Sequence, residues 1–268
     1  MITSDKLGAP ELIYNSALQM GLQPSWVTPG GLFSITVQGS ESYINFARSP
    51  LNSHVGVSIA NDKNLARLIL QRNNLPNIPF VRPKTLYEAK EFLQQYVKIV
   101  AKPFNGYGSR DIRIVTDPSQ LDKIDVTRYI LEKYIAGIEM RYLVLNDGVI
   151  GVHQSSYGTS VDEHRNLERL SHPKESWDQA LVELSVETAR VIGLKFAAVD
   201  YILDESGHAY ILEVNSLPGL KWFHSPTSGP VVDVARLFLE AIVDNHSQQI
   251  NARSAPSSYI IQSNEGGL

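Results

Sequence analysis

The sequence predicts an α+β protein, with helices and short strands alternating but no long βαβ series. Three observations carry that prediction. Asn146, Asp147 and Gly148 stand between two strand-like runs, Glu139 to Leu145 and Val149 to Val152, which is a strong hairpin signal. Asp204 to Gly207 separates two further runs, Val199 to Leu203 and Ala209 to Val214. Between these pairs, apolar residues recur at helical spacing, as in Leu181, Leu184, Ala189 and Ile192. The chain has 268 residues, 43% apolar and 19% charged, ordinary for a soluble globular protein of one large domain or two small ones. A net charge of -4 argues against a nucleic-acid or anionic-membrane footprint. With no cysteine, disulfides, thiolate metal sites and cysteine nucleophiles are excluded. No apolar run approaches the ~20 residues that span a bilayer. Met1 to Lys6 lacks a basic and apolar leader, so a cytoplasmic location is expected.

The elements follow in order. Pro10 suits the first turn of a helix over residues 10–20, with Leu12, Ile13 and Ala17 inward and Gly21 at its end. Phe33 to Val37 and Ser42 to Phe46 predict a small hairpin. Asn61 is expected to cap a helix whose inner face carries Leu65, Leu68 and Ile69. Thr85 and Glu88 have capping-box spacing for a helix running to about Tyr96. Strands are expected over Val97–Ala101, Ile112–Val115 and Tyr129–Tyr134, with a short helix from Asp117 and Pro118. His153 to Pro173 reads as an irregular polar loop, long enough to suggest function or disorder. Ser176 and Gln179 are expected to cap a helix ending at Gly193, and Pro230 to lead a final one through Val234, Leu237, Phe238, Ala241 and Ile242. From Ser247 the polar tail reads as disordered or extended.

The residues that carry chemistry interrupt the apolar runs. If Leu203 faces Tyr210 in the second hairpin, Asp200 faces Glu213, with Cβ atoms roughly 4.5–5.5 Å apart. Asn215 shares that face by the period of two. Two opposed carboxylates repel unless a cation sits between them. An oxygen-only donor set suits Mg²⁺ shared with phosphates. A wet edge hairpin is the alternative. Lys102 ends a strand beside Asn105, Gly106, Tyr107, Gly108 and Ser109, whose glycines let backbone N–H groups approach an anion. A short glycine-rich hairpin is the plainer outcome there. Lys63 lies near a helix start, where its charge opposes the helix dipole and an anionic partner would help. Glu139 and Arg141 share one strand face. The aromatic set Tyr201, Trp222 and Phe223 reads as core.

Taken in order, Asn61 to Lys63, Ala101 to Pro103 with the glycine loop, Glu132 to Ile135, Gly137 to Arg141, Asp200, and Glu213 to Gly219 resemble the motif series of the ATP-grasp ligases. Residues 218–229 are also similar to the cyanophycin synthetases, and Ser53 to Lys63 to these and to the bifunctional glutathione synthetases. The resemblance implies an ATP-grasp fold, two α+β lobes gripping ATP, here behind a shortened N-terminal region. It divides the chain into residues 1–55, a first lobe 56–136 with the lid, a second lobe 137–246 with the metal site, and a flexible tail 247–268. It implies that Lys63 and Lys102 contact phosphates and that Gly106, Gly108 and Ser109 form the lid. Glu132, Lys133, Tyr134 and Ile135 would hold adenine, and Glu139 the ribose. Asp200, Glu213 and Asn215 would hold Mg²⁺, or Mn²⁺ in its place. Arg141, Lys102 and Asn215 would form the catalytic set.

The implied reaction is ATP-dependent carboxylate–amine ligation through an acyl phosphate, releasing ADP and phosphate. Phosphoryl transfer needs positioning and charge neutralisation, not a protein nucleophile. Arg165, Arg169 and Lys221 are candidates for an amino-acid or peptide substrate, since an arginine fork suits a carboxylate. A homo-oligomer is compatible with the sequence. Two departures stand out. Arg110 and Asp111 follow Ser109 where the family usually has a second glycine, and the region before the core is short. They leave open a non-catalytic ATP-binding module, and a small-molecule kinase is a further alternative.

Overall fold

A computed structural model describes residues 8–48, 50–105, 111–156 and 168–254, with side chains to residue 248. The expected α+β class is what it contains: helices packed on three sheets whose strand pairs are antiparallel. The N-terminal part comprises α1 (Ala9–Gln19) and strands β1 (Ser25–Trp26), β2 (Leu32–Val37) and β3 (Ser40–Asn45), in the order β1-β2-β3. Helices α2 (His54–Asn61) and α3 (Lys63–Arg72) lead to a four-stranded sheet. Its strands are β4 (Phe80–Val81), β5 (Ile99–Pro103), β6 (Arg113–Val115) and β7 (Tyr129–Lys133), ordered β4-β7-β5-β6 and accompanied by α4 (Leu86–Tyr96) and the short α5 (Pro118–Leu121). The third sheet holds β8 (Ile138–Leu145), β9 (Gly148–Ser156), β10 (Glu168–Ser171), β11 (Phe196–Leu203) and β12 (Ala209–Asn215), ordered β10-β9-β8-β11-β12. Helix α6 (Gln179–Ile192) precedes β11; α7 (Lys221–His224) and α8 (Val234–Ser254) follow β12.

Burial follows the strand period of two. Leu143, Leu145, Phe196 and Ala198 point to one face of the five-stranded sheet, into a core with α1, β2 and α8. Tyr142, Val144, Ala197 and Val199 point to the other, under α2 and α6. The four-stranded sheet has its own core with Ala89, Phe92 and Leu93 of α4. The N-terminal strands therefore share a core with the last helix. No described helix is long and apolar enough to cross a membrane.

Several local expectations need correction. Helix α2 lies where no element was expected. Ser53 caps it through Gly56 N–H, and a Cβ on Gly56 would come within 2.5 Å of Gly193 O, so only glycine lets α2 rest on the end of α6. Asp62, not Asn61, caps α3, accepting from Asn64 and Leu65 N–H. Leu65 and Leu68 are exposed, and the buried face of α3 is Ala66, Arg67 and Leu70. The segment read as a loop after His153 begins and ends as strand. Strand β9 runs on to Ser156, and β10 returns with His153 opposite Ser171. Asp178, not Ser176, caps α6 by accepting from Ala180 and Leu181 N–H. Helix α8 starts at Val234 rather than at Pro230, with Asp233 accepting from Arg236 N–H. It continues to Ser254, past the expected start of the tail, and Ser247 Oγ donates back to Val243 O.

Candidate active site

Strand register brings polar residues from all five strands of the large sheet into one row. Glu213 lies opposite Asp200, Asp200 opposite Arg141, Arg141 opposite His153, and His153 opposite Ser171. Opposed residues share a face, so the row forms one continuous polar band. The next row on that face is Ile202, Glu139, Ser155 and Arg169. The expected pairing of Asp200 with Glu213 is present, but by another route. Leu203 faces Ala209 and Ile202 faces Tyr210, and a bulge at Asp200/Tyr201 then inserts Leu212 to restore the pair.

Each opposed carboxylate has a cation. Arg141 grips Asp200 with both prongs, Nε to Oδ1 at 2.6 Å and Nη2 to Oδ2 at 2.8 Å. Asn215 Nδ2 donates to Asp200 Oδ2 at 2.8 Å, and Lys63 Nζ stands 3.5 Å from Glu213 Oε1. Among the described residues no group of three or more His, Asp or Glu stands together. Two carboxylates and an amide, without imidazole or thiolate, fit a hard divalent cation that takes its remaining ligands from phosphate and water.

A second charge cluster lies between the sheets. Lys102 Nζ on β5 is 2.7 Å from Glu132 Oε2 on β7, and Arg67 Nε on α3 is 2.7 Å from Glu132 Oε1. All three residues are at least nine-tenths buried. Burial raises the Glu132 carboxyl, but the charges and hydrogen bonds of Arg67 and Lys102 outweigh it and hold the group at about 2. Arg67 also donates from Nη1 to Asn77 Oδ1 (3.0 Å) and Ile211 O (2.5 Å), and from Nη2 to Leu212 O (2.8 Å). The sequence hides it because Leu65, Leu68 and Ile69, at helical spacing on α3, point to another inner face.

Beyond Glu132, Lys133 N–H donates to Pro79 O and Tyr134 N–H to Lys98 O, while the Lys98 ammonium lies 3.6 Å from the Tyr134 ring centre. Ile135 follows, half-buried, at the passage into β8. Gly137 is required there, because a Cβ would meet Leu203 O at 2.0 Å. Gly106, Gly108, Ser109 and Arg165 lie outside the described residues.

The far end of the polar band is aromatic and basic. Arg169 Nη1 donates to Ser155 Oγ, and its guanidinium lies 5.6 Å from the Trp222 ring centre. Lys221 Nζ lies 5.2 Å from the same ring. Residues 227–229 run beside β10, with Gly229 at φ +89° so close to Ser171 O that no Cβ fits. Phe223 fills the slot left by Gly151 and stacks on His153, ring centres 3.9 Å apart. Phe223 and Tyr201 are core residues as expected; Trp222 is half-buried at the edge.

His153 is 2% exposed, and its Nε2 has no hydrogen-bond partner among the described residues. Burial first, then Arg141 and Arg169, push its pKa down to about 4, so it is neutral near pH 7. An unfolded histidine takes a proton near pH 6.5. The folded state should therefore lose stability as pH falls from about 6.5 toward 4, by about 1–3 kcal/mol from this group. His153→Phe keeps a ring on Phe223 and is expected to remove that loss in urea melts from pH 7.5 to 4.5. His224, whose pKa burial also lowers, would leave a smaller slope. A wild-type slope in the variant would show that His153 does not titrate this way.

Residues 60–242 match the RimK-like ATP-grasp domain. The chain is 25% identical over 206 residues to a D-alanine–D-alanine ligase of Pseudoalteromonas translucida, covering 69% of this chain and 66% of that one. It is 25% identical over 219 residues to the tetrahydromethanopterin:alpha-L-glutamate ligase of Methanocaldococcus jannaschii, covering 75% and 72%. Among solved structures, a bifunctional glutathione synthetase from Pasteurella multocida superposes with a TM-score of 0.69 at 12% identity, over 90% of this chain and 45% of that one. The chain thus spans just under two thirds of the first ligase and under half of the glutathione synthetase.

Proposed function

The chain belongs to the RimK-like ATP-grasp family, and from that premise we propose that it is an ATP-dependent carboxylate–amine ligase acting on an amino acid or short peptide. ATP-grasp ligases use ATP and a divalent metal. The observation that carries the reading is the polar band. Arg141 clamps Asp200 directly opposite Glu213, Asn215 braces the same carboxylate, and Lys63 reaches the band from α3. Such a surface offers hard oxygens for a metal beside cations for phosphate.

In this reading Asp200, Glu213 and Asn215 hold Mg²⁺. When bound, the metal would neutralise phosphate charge. Lys63 and Lys102 orient the phosphates, and Arg141 stabilises the charge that builds on the transferred phosphoryl group. Glu139, one row along from Arg141, takes the ribose hydroxyls. The segment Glu132 to Ile135 borders the adenine. The glycine segment with Gly106, Gly108 and Ser109 excludes water from the acyl phosphate. The amine then attacks the activated carbonyl and phosphate leaves. Arg169 and Lys221, set against Trp222, bind a substrate carboxylate, with Arg165 from the adjoining segment.

The test is a matrix of amino acids and dipeptides, offered as acid and as amine, screened for ADP and phosphate release with mass spectrometry of the products. Release that needs both partners, with a product heavier than either, is the expected result. Release of ADP without free phosphate, with a hydroxyl compound alone and a phosphorylated product, would make the protein a kinase. Nucleotide binding without turnover on any pair would make it a binding module.

A further inference from the structure

We infer that Arg67 is a positioning residue that indexes the nucleotide-binding half of the site against its metal-binding half. The inference rests on the ligase reading for what the two halves do, and on geometry for the link between them.

Arg67 is 3% exposed, unusual for an arginine unless every donor has work. Its guanidinium makes four hydrogen bonds to three separate parts of the fold. One reaches the Glu132 carboxylate on β7, which in turn holds Lys102 of β5. One reaches Asn77, which returns a bond from its own amide to Arg67 O at 2.8 Å. Two reach the carbonyls of Ile211 and Leu212 on β12, immediately before Glu213. Arg67 itself lies one helical turn after Lys63 on α3. The cations proposed for phosphate, Lys63 and Lys102, and the carboxylate proposed for metal, Glu213, are thus all referenced to one rigid plane.

The bulge that inserts Leu212 belongs to the same arrangement. β12 is the outer strand of its sheet, so its outward N–H and carbonyl groups need partners. The side chains of α3 and the segment at Pro76 and Asn77 supply them: Ile211 N–H donates to Pro76 O, and Arg67 closes the carbonyls. The space left beside the guanidinium, bordered by Ala60, Lys63, Ala66, Glu132 and Glu213, is about 20 Å³, room for about one water. Arg67 has nowhere to swing. A lysine in its place has no planar fork and cannot reach Glu132, Asn77 and two carbonyls together.

The experiment is calorimetric titration of ADP with and without Mg²⁺, on wild type and Arg67→Lys, below the variant's melting temperature. ADP needs no knowledge of the acid or amine. The gain in ADP affinity that Mg²⁺ confers measures how well the two halves are aligned. In Arg67→Lys that gain is expected to shrink about tenfold or more, while ADP affinity without metal changes by less than about threefold. A merely structural role would lower the melting temperature and leave the metal-dependent gain as in wild type, and that result overturns the inference. Wild type that does not bind ADP overturns the ligase reading instead. If Arg67→Lys does not fold, Asn77→Ala carries the test. It removes one brace of the guanidinium without unpairing a charge, and is expected to shrink the gain about two- to fivefold; no change there overturns the inference.

Discussion

Glu213→Ala should cut ADP release by about 10²–10³-fold while leaving the fold intact. Glu213 is half-exposed at the end of the polar band, so losing it removes little packing and costs about 0.5 kcal/mol or less. Its opposite neighbour keeps its own partners, since Asp200 is held by Arg141 and Asn215 and does not depend on Glu213. Lys63 loses a counter-charge, which favours an anion there. Nucleotide affinity without metal should therefore stay within a few-fold of wild type, and the loss should fall on the metal-dependent step. Steady-state ADP release and a melting curve on the same preparation separate the two. Turnover within tenfold of wild type would overturn the proposed place of Glu213 in a metal site.

Glu132→Ala acts in the opposite manner, through stability. It leaves Arg67 and Lys102 buried side by side with no negative charge between them. Breaking a buried pair in this way costs about 3–5 kcal/mol, because the stranded charges stay desolvated. Urea denaturation near pH 7 should show that loss. Glu132→Gln retains hydrogen-bond acceptance and should lose less. The wild-type carboxyl sits at about 2, below its unfolded value of 4.5. Its contribution is accordingly full above pH ~4.5 and disappears as pH falls through 2. A loss under 1 kcal/mol in Glu132→Ala would mean that the two cations find water when their partner is removed.

Much of the polar band was legible because it depends on local chemistry. Acidic residues in apolar strands announce themselves, and the turn at Asp204 to Gly207 shows that the two strands pair, but the register expected across it is one residue off and the bulge at Leu212 restores the pair. Glu139 and Arg141 share a face by the period of two alone. Arg67 was not legible, since its burial depends on β7 and β12, which lie far along the chain. Its neighbours Leu65 and Leu68 suggested the wrong inner face, and both are exposed. Helix α2 was hidden for a similar reason. Val55, Val57 and Ile59 are poor helix formers, and the helix is held by the backbone of Gly193, which no periodicity reveals. His153 and Ser171 looked like loop residues because their pairing needs a strand from beyond an intervening segment.

The packing of α1 against α8 sets an order on how the protein can be made. Tyr14, Trp26 and Phe33 stack together early in the chain, but the core they border also needs Phe238, Leu239 and Ile242. More than 200 residues separate α1 from those side chains. At the ribosome's pace that gap is about 10–40 s, during which the first helix and hairpin can be covered only by the earlier strands, through Leu143, Leu145, Phe196 and Ala198. That core is complete only when Phe238, Leu239 and Ile242 of α8 have been made.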